Sequence, residues 1–338
     1  MGKVIAIYNQ KGGVGKSVTT SNLAYELSAR NKAVLMVDAD QQENLSISTG
    51  VIPKQCNRTF YDVLMDEIHD ISYDTSLSDV IVKLPSGPHI IPGSVEQASI
   101  DEELFSIMKF ETPLESWLKQ YQKDLEIQGR IKSLPPDDEG IYLEDEVDRY
   151  IKLYAGYKQI TTELTETLIQ EGFLDKRAMP PAEAKDGRFV VKKILDKIKD
   201  QYDFILVDCP PALSALTKSV LNSASSVLVP VTLEPYSASG LSHLAQSVGT
   251  IKQLSNPRLR ISGLLYTMVD DRLVLSHDIK TQLEYFRQLF YIYDTQIPRS
   301  TDVNKAIAEM KPLMEFNKNN IARLAYSKFA DEFLKREA

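Results

Sequence analysis

A glycine-rich stretch near the amino terminus constrains this chain more than any other feature. It reads Asn-Gln-Lys-Gly-Gly-Val-Gly-Lys-Ser at positions 9–17, follows the apolar run 4–8 and precedes an amphipathic stretch that begins at Thr19. This order is typical of a strand, a loop and a helix. The glycines let the backbone turn where a side chain would clash, so that N–H groups converge at a helix N-terminus. The stretch therefore predicts a phosphate-binding loop.

Two residues at the end of this loop carry further chemistry. In the pattern G-x-x-x-x-G-K-[ST], the lysine binds the β- and γ-phosphates and the hydroxyl binds Mg²⁺. Lys16 and Ser17 match these positions, whereas Gln10 stands in the place of the first glycine and Lys11 follows it. A plain glycine-rich turn would explain neither Lys11 nor Ser17.

With its two lysines, this loop resembles the deviant Walker A box of the ParA/MinD family of P-loop ATPases, and within it the ParA-type (Soj-like) DNA partition ATPases. The resemblance implies ATP and Mg²⁺ as cofactors. It also implies that Lys16 serves its own nucleotide, while Lys11 reaches across a dimer interface to the partner's nucleotide. The residues that it places around the nucleotide phosphates are Gly12, Gly13, Val14, Gly15, Lys16, Ser17 and Val18.

Acidic residues follow a second apolar run, 33–37, which reads as a buried parallel strand. Because open α/β sheets bind ligands at the carboxyl ends of their strands, Asp38 and Asp40 are expected to face the phosphate loop. The stretch resembles the D-x-D-P-Q box of the family, with Gln41 in place of proline and Glu43 in place of the usual glycine. The resemblance implies that Asp38 orients waters around Mg²⁺ and that Asp40 positions the attacking water. A solvated turn acid is the alternative for Asp40.

A third box, Phe-Ile-Leu-Val-Asp-Cys-Pro-Pro at 204–211, reads as a buried strand that ends in an acid. It matches the D-C-P-P form of the Walker B strand in the family. The resemblance implies that Asp208 holds the Mg²⁺ shell together with Ser17 and Asp38. Cys56 and Cys209 are the only cysteines, too few for the cluster cage of a nitrogenase-type iron protein and typical of a reducing cytoplasm.

Further strands are predicted at 226–231, 261–268 and 295–298. Alternation of strands and helices predicts a single α/β domain, 1–338, with a mostly parallel twisted sheet covered by helices on both faces, as in P-loop NTPases. Thr267, Met268, Pro298 and Arg299 fall where the family cups its adenine base. Ordinary packing at strand ends explains these four residues equally well.

Residues from about 112 to 186 have no counterpart in the resemblance and are predicted to form a helical insertion. Two helical patterns, near 114–131 and 147–169, carry apolar stripes and are joined by an acidic connection. The simplest interpretation is a hairpin that packs on itself or on the main domain. The hypothesis for its role is partner specificity or an extended dimer interface.

Charge is distributed unevenly along the chain. The net charge of −8 divides into about −11 before residue 210 and about +3 after it, which places any DNA-binding surface in the last part. The resemblance implies an ATP-bound homodimer, non-specific DNA and a ParB-like centromere-binding protein as partners, with weak basal hydrolysis. Candidate DNA contacts are Lys252, Arg258, Arg260, Lys280, Arg287, Lys305, Lys311, Lys318 and Arg323.

The carboxyl-terminal segment from Ile321 to Leu334 repeats apolar residues at helical spacing. In a MinD-like membrane-positioning ATPase, such a helix would bind lipid. Acidic residues dilute its polar face here, which favours packing in the core. No signal peptide or membrane span is evident, so we expect a cytoplasmic protein, nucleoid-associated when ATP-bound, without stable membrane association. A nucleotide-gated adaptor without turnover is a further alternative.

Overall fold

A seven-stranded sheet lies at the centre of the part of the chain that the structure, a computed structural model, describes: residues 2–69, 77–85, 87–107, 186–233, 237–270, 287 and 290–337. These residues belong to one compact unit within Met1–Met108 and Lys185–Ala338. The strands are β1 (Lys3–Ile7), β2 (Val34–Asp38), β3 (Val82–Lys83), β4 (His89–Ile91), β5 (Phe204–Asp208), β6 (Ser226–Thr232) and β7 (Arg260–Thr267).

The strands are arranged in the order β3-β4-β2-β5-β1-β6-β7. Every neighbouring pair is parallel except β3 with β4, an antiparallel edge pair that the sequence analysis did not predict. In the register, Asp38 of β2 and Ile7 of β1 both lie opposite Asp208 of β5. The predicted mostly parallel α/β sheet is confirmed, and the carboxyl ends of three strands lie level with one another.

Helices cover both faces of the sheet. They are α1 (Lys16–Ser28), α2 (Asn44–Ser48), α3 (Phe60–His69), α4 (Ile100–Ile107), α5 (Val190–Asp196), α6 (Ala215–Ser223), α7 (Ser237–Leu254), α8 (Thr301–Ala308), α9 (Leu313–Phe316) and α10 (Ile321–Glu337). Successive strand residues point to opposite faces. On β5, Val207 packs with α3 to α7, whereas Leu206 packs with α1 and α10.

The carboxyl-terminal helix α10 packs into the core, as predicted. Its Phe329 and Phe333 are fully buried. The ring of Phe329 lies 4.8 Å from that of Tyr293, and the ring of Phe333 lies 5.6 Å from that of Phe204. In the described residues, no helix combines the length and the apolar character that crossing a bilayer requires.

The predicted strand at 295–298 is wrong. In this region the chain runs beside β7 and the residues that follow it, and two isolated bridges are formed, Leu264 with Ile292 and Val269 with Pro298. Both carboxylate oxygens of Glu332 accept backbone N–H groups here, from Asp294 at 2.7 Å and Thr295 at 3.0 Å. The N–H of Thr295 is therefore not available to β7, and the pairing with β7 is interrupted at this residue.

The predicted helical insertion, about 112–186, lies outside the described residues except for Asp186. Its boundaries, its two apolar stripes and its role therefore stay predictions. Lys280, one of the candidate DNA contacts, also lies outside the described part of the chain.

Candidate functional site

The glycine-rich loop between β1 and α1 has the conformation that its sequence suggests. Gly13 has a φ of 73° and Gly15 a φ of 84°, in the left-handed region that favours glycine. Gly15 is the residue that directly precedes α1. A β-carbon on Gly13 would meet no atom of the described residues within 4 Å, so the backbone conformation rather than the space requires glycine there.

Asn9 anchors this loop, although the sequence analysis gave it no role. Its buried side chain donates a hydrogen bond from Nδ2 to the carbonyl oxygen of Pro230, at 2.7 Å, and accepts one at Oδ1 from the N–H of Lys11, at 3.0 Å. The contact with Pro230 spans two strands, so only the fold reveals it. The position of Asn9 directly after the first strand is the sequence signal that could have indicated a structural role for this residue.

The two lysines of the loop occupy different environments. Lys16 is buried, and its Nζ donates to the carbonyl oxygens of Asn9, at 3.3 Å, and Lys11, at 3.4 Å. The loop is therefore wrapped around the ammonium group of Lys16. Lys11, by contrast, is exposed at the surface. This separation of one inward and one outward lysine agrees with their predicted roles without testing them.

Asp38 and Asp208 lie side by side at the ends of β2 and β5, and both are fully buried. Burial raises the pKa of Asp38 to about 7, although two hydrogen bonds from Ser46 and one from the N–H of Asp40 act in the opposite direction. Burial also raises the pKa of Asp208 well above its usual range, and repulsion from Asp38 adds to this effect. Two neighbouring buried carboxylates are costly to ionise unless a cation compensates their negative charge.

Asp208 provides the observation that tests whether a cation fits here. Among the described residues, neither of its carboxylate oxygens has a hydrogen-bond partner. The Ser17 hydroxyl and the charge of Lys16 lower the pKa of this carboxyl, but by less than burial raises it. An unpartnered buried carboxylate beside a hydroxyl suits Mg²⁺, which takes oxygen ligands and keeps several waters.

A metal cage built from protein ligands alone is not present in the described ranges, where no three His, Cys, Asp or Glu side chains converge. Mg²⁺ bound with a nucleotide needs no such cage, since one or two carboxylates and the phosphates complete its shell. Ser17, Asp38 and Asp208 could therefore hold Mg²⁺, and Gly12 to Val18 could hold the phosphates.

Asp40 lies in the turn that follows β2. It is only 6% exposed, which disfavours the alternative of a solvated turn acid. Its Oδ1 accepts a hydrogen bond from the N–H of Gln42 at 3.0 Å, while its own N–H donates to Oδ1 of Asp38 at 3.3 Å. The turn thus presents the second acid beside the first. Its predicted role in positioning water stays a prediction.

Glu43 departs from the glycine of the D-x-D-P-Q box, and the structure shows why glycine suits this position. Its φ is 56°, in the left-handed region. Oε1 of Glu43 accepts a hydrogen bond from the N–H of Val95 at 3.0 Å. The side chain therefore ties the turn to the segment after β4, and this contact offsets part of the backbone strain.

Of the four residues predicted near the adenine base, Thr267 and Met268 lie beside the phosphate loop, and Pro298 and Arg299 lie beside Val269, which follows Met268. Oγ1 of Thr267 donates to the carbonyl oxygen of Val14 at 2.8 Å, and a β-carbon on Gly15 would lie 3.6 Å from Cε of Met268. Pro298 bridges to Val269, the residue after Met268, and the N–H of Arg299 donates to the carbonyl oxygen of Val269 at 2.9 Å. Thr267 therefore braces the loop. Contact of any of the four with a base stays a prediction.

Two of the candidate DNA contacts are used inside the fold. Arg260 pairs with Glu337 at 2.6 Å, and Arg323 pairs with Glu26 at 3.0 Å, and both glutamates are buried. These arginines compensate buried charge. Among the remaining candidates in the described part, Lys252, Arg258, Arg287, Lys305, Lys311 and Lys318 are exposed.

Comparison with known proteins agrees with this geometry. The sequence model of a family described as an AAA domain matches residues 2–128 and 159–261. The sporulation initiation inhibitor protein Soj of Bacillus subtilis is 27% identical over 98% of this chain and 98% of its own length. The chromosome partitioning protein ParA of Caulobacter vibrioides is 28% identical over 99% of this chain and 95% of its own length.

Two solved structures have the same fold. Cobyrinic acid a,c-diamide synthase from Mycobacterium smegmatis with bound ADP and magnesium has a TM-score of 0.65 and 21% identity, over 100% of this chain and 96% of that one. The septum site-determining protein MinD from Pyrococcus horikoshii, complexed with Mg-ADP, has a TM-score of 0.60 and 19% identity, over 98% and 96%. At these identities the similarity establishes the fold alone.

Proposed function

This chain belongs to the AAA-domain P-loop ATPases of the ParA/MinD type, and on that premise we propose that it is a Mg²⁺-ATP-dependent DNA partition ATPase. The proposal comprises an ATP-bound homodimer, non-specific DNA binding and a ParB-like centromere-binding partner. The carboxylate of Asp208 is the observation that carries it. It is buried and unpartnered among the described residues, and it lies level with Asp38 beside the glycine-rich loop.

The residues divide the work of the proposed reaction. ATP supplies the phosphoanhydride bond, and Mg²⁺ supplies positive charge for its phosphates. Lys16 binds phosphate oxygens with an ammonium that contacts two backbone carbonyls. Asp208 and Ser17 hold the cation, while Asp38 orients its waters and Asp40 orients the attacking water. A buried site of this kind strengthens each electrostatic contact, because water screens it little.

A pair of lysine variants tests the two-lysine proposal. Lys16→Ala should weaken ATP binding by about tenfold or more, since hydrogen bonds from a charged donor are lost. Lys11→Ala should bind ATP as a monomer with near-normal affinity but fail to dimerise, because this exposed side chain acts on the partner's nucleotide. Light scattering with a slowly hydrolysed ATP analogue measures dimerisation, and Lys54→Ala, another exposed lysine, is the matched control. A Lys11→Ala protein that dimerises normally would refute the proposed role of Lys11 in the dimer.

The acids have separable readouts. Asp40→Ala should bind Mg²⁺-ATP and accumulate as a dimer, with turnover lowered by about 10²–10⁴-fold, the range for a lost positioning or base group. Asp208→Ala should instead weaken nucleotide binding only when Mg²⁺ is present. Equal turnover of wild type and Asp40→Ala would remove Asp40 from the mechanism.

Non-specific DNA binding should depend on the nucleotide. Fluorescence anisotropy with ATP, ADP and no nucleotide should show binding with ATP alone, because the dimer doubles the phosphate contacts of a monomer. The affinity should fall with salt, with a logarithmic slope near −0.9 per phosphate neutralised. Lys252→Ala or Arg258→Ala should reduce that slope, whereas Lys54→Ala should not. Equal DNA binding in all three nucleotide states would contradict an ATP switch.

Basal hydrolysis is expected to be weak and to rise with the centromere-binding partner. An acidic insertion suits a partner with a basic tail, since long-range attraction would steer the two together. Sedimentation with liposomes in the presence of ATP separates this proposal from a MinD-like membrane-positioning role. ATP-dependent co-sedimentation would favour the latter.

A further inference from the structure

Ser46, on α2, is the residue that holds the side chain of Asp38. It is fully buried. Its N–H donates to Oδ2 of Asp38 at 2.9 Å, and its hydroxyl donates to the same oxygen at 2.7 Å. The hydroxyl oxygen in turn accepts a hydrogen bond from the N–H of Gly93 at 3.0 Å. Since a hydroxyl has one proton to donate, these contacts leave Ser46 Oγ one defined orientation.

Gly93 begins the segment Gly93–Gln97, here called the β4 loop, which lies against Asp38 at the end of β2 and against the turn that follows. A β-carbon on Gly93 would lie 3.0 Å from Cγ of Asp38 and 3.1 Å from its carbonyl oxygen. Nε2 of Gln97 donates to that carbonyl oxygen at 3.4 Å, and the N–H of Val95 donates to Glu43. The β4 loop therefore lies against the backbone and the carboxylate of Asp38, and it also contacts Glu43 at the end of the turn.

Asp38 and Asp208 differ in their partners, although both are buried at strand ends. Both Oδ atoms of Asp38 accept hydrogen bonds, two of them from Ser46, whereas those of Asp208 accept none among the described residues. A carboxylate with fixed lone pairs is suited to orient water, and one with open lone pairs is suited to accept a new ligand. At Oδ2 of Asp38 this difference depends on Ser46, and at Oδ1 on the N–H of Asp40.

We propose that Ser46 is a positioning residue of the nucleotide site, which couples the orientation of Asp38 to the β4 loop through its hydroxyl. The inference rests on the proposed function, because it concerns how Mg²⁺-ATP is held there. In this arrangement the Ser46 hydroxyl sets the rotamer of Asp38. Gly93, which has no side chain, leaves space for the Asp38 carboxylate. Movement of the β4 loop would then change how the site binds Mg²⁺.

Ser46→Ala and Ser48→Ala are a matched pair that tests this. Both serines are buried on α2, but Oγ of Ser48 donates to the carbonyl oxygen of Leu45, at 2.9 Å, and makes no hydrogen bond with Asp38 among the described residues. ATP affinity is measured by titration calorimetry with Mg²⁺ and again with EDTA. Ser46→Ala should weaken the affinity with Mg²⁺ by about tenfold, the loss expected for a hydrogen bond to a charged group, and leave the affinity in EDTA unchanged. Ser48→Ala should resemble wild type in both conditions.

Gly93→Ala provides a second route to the same result. It keeps the hydroxyl but introduces a methyl group against Asp38, so the Mg²⁺-dependent gain in affinity should again shrink. Ser46→Thr, which retains the hydroxyl, should recover part of that gain. An unchanged gain in Ser46→Ala, or an equal loss with and without Mg²⁺, would overturn the inference. Absence of ATP binding by wild type would instead refute the proposed function itself.

Discussion

The buried charge of Asp38 should make the nucleotide-free protein less stable as the pH rises. Its pKa increases from 3.8 to about 7 on folding because burial disfavours the ionised form. The folded state therefore binds one more proton than the unfolded state between these two values. Stability that is fully present below pH 3.8 is lost as the pH rises through 7.

The expected size follows from the shift. A change of about three pKa units, at 1.36 kcal/mol per unit, amounts to at most about 4 kcal/mol of unfolding free energy. About two of those units lie between pH 5 and pH 7, so about 3 kcal/mol should be lost there. Asp38→Asn should escape this loss, since the amide carries no charge. The substitution also removes the repulsion that raises the pKa of Asp208. This further reduces the loss of stability with rising pH.

Urea unfolding in EDTA without nucleotide, at pH 5 and pH 8, measures this. Asp38→Asn should gain about 3 kcal/mol relative to wild type between the two pH values. Asp331→Asn is the control. Arg30 lowers the pKa of that exposed carboxyl, so its stabilising contact is present throughout the window and the variant should differ equally from wild type at both pH values. A pH-independent difference for Asp38→Asn would refute the argument.

Three further predictions concern the packing and the boundaries of the fold. Phe329→Ala should lower the unfolding free energy by about 3–5 kcal/mol, because it leaves a cavity at a fully buried position. Ile321→Ala on the same helix, where the side chain is 58% exposed, should change this free energy by less than about 0.5 kcal/mol. Thermal melts of both variants test whether α10 is packed as described. Iodoacetamide should label Cys56 but not Cys209 in the native protein, because burial removes access to Cys209 and raises the pKa of its thiol; mass spectrometry showing equal labelling would contradict this. Replacing about 112–186 with a Gly/Ser linker should preserve ATP binding, measured by calorimetry, since the proposed nucleotide ligands lie elsewhere; loss of folding would place the apolar stripes in the main core.

Much of the fold could be predicted because its signals are local. The apolar runs that became β1, β2 and β5 are continuous, as strands buried on both faces must be. The first is followed by Asn9 and the glycine-rich loop, and the other two end in an acid. The segment at 295–298 shows the limit of such signals. It reads as a strand, yet Glu332, distant in sequence, accepts the N–H of Thr295, and the pairing here is reduced to an isolated bridge.

The nucleotide site divides in the same way. Its loop, its lysines and its acids follow from short patterns whose chemistry depends on neighbouring positions in the chain. Asn9, Ser46 and Gly93 escaped prediction because their importance lies in contacts with other strands and loops. Nor could the sequence separate Arg260 from the exposed basic residues, since its buried partner Glu337 lies at the far end of the chain.

By itself, the sequence determined most of the strands, the phosphate loop and the kinds of side chain that can bind Mg²⁺-ATP, because backbone conformation and chemical type are properties of short segments. Only the tertiary structure decided which of these side chains are already bonded. Asp38 and Asp208 are both aspartates at the end of a strand. Asp38 accepts a hydrogen bond from Ser46, whereas the carboxylate of Asp208 has no hydrogen-bond partner among the described residues. That difference arises from burial and from the order of strands in the sheet, which bring together residues far apart in the chain.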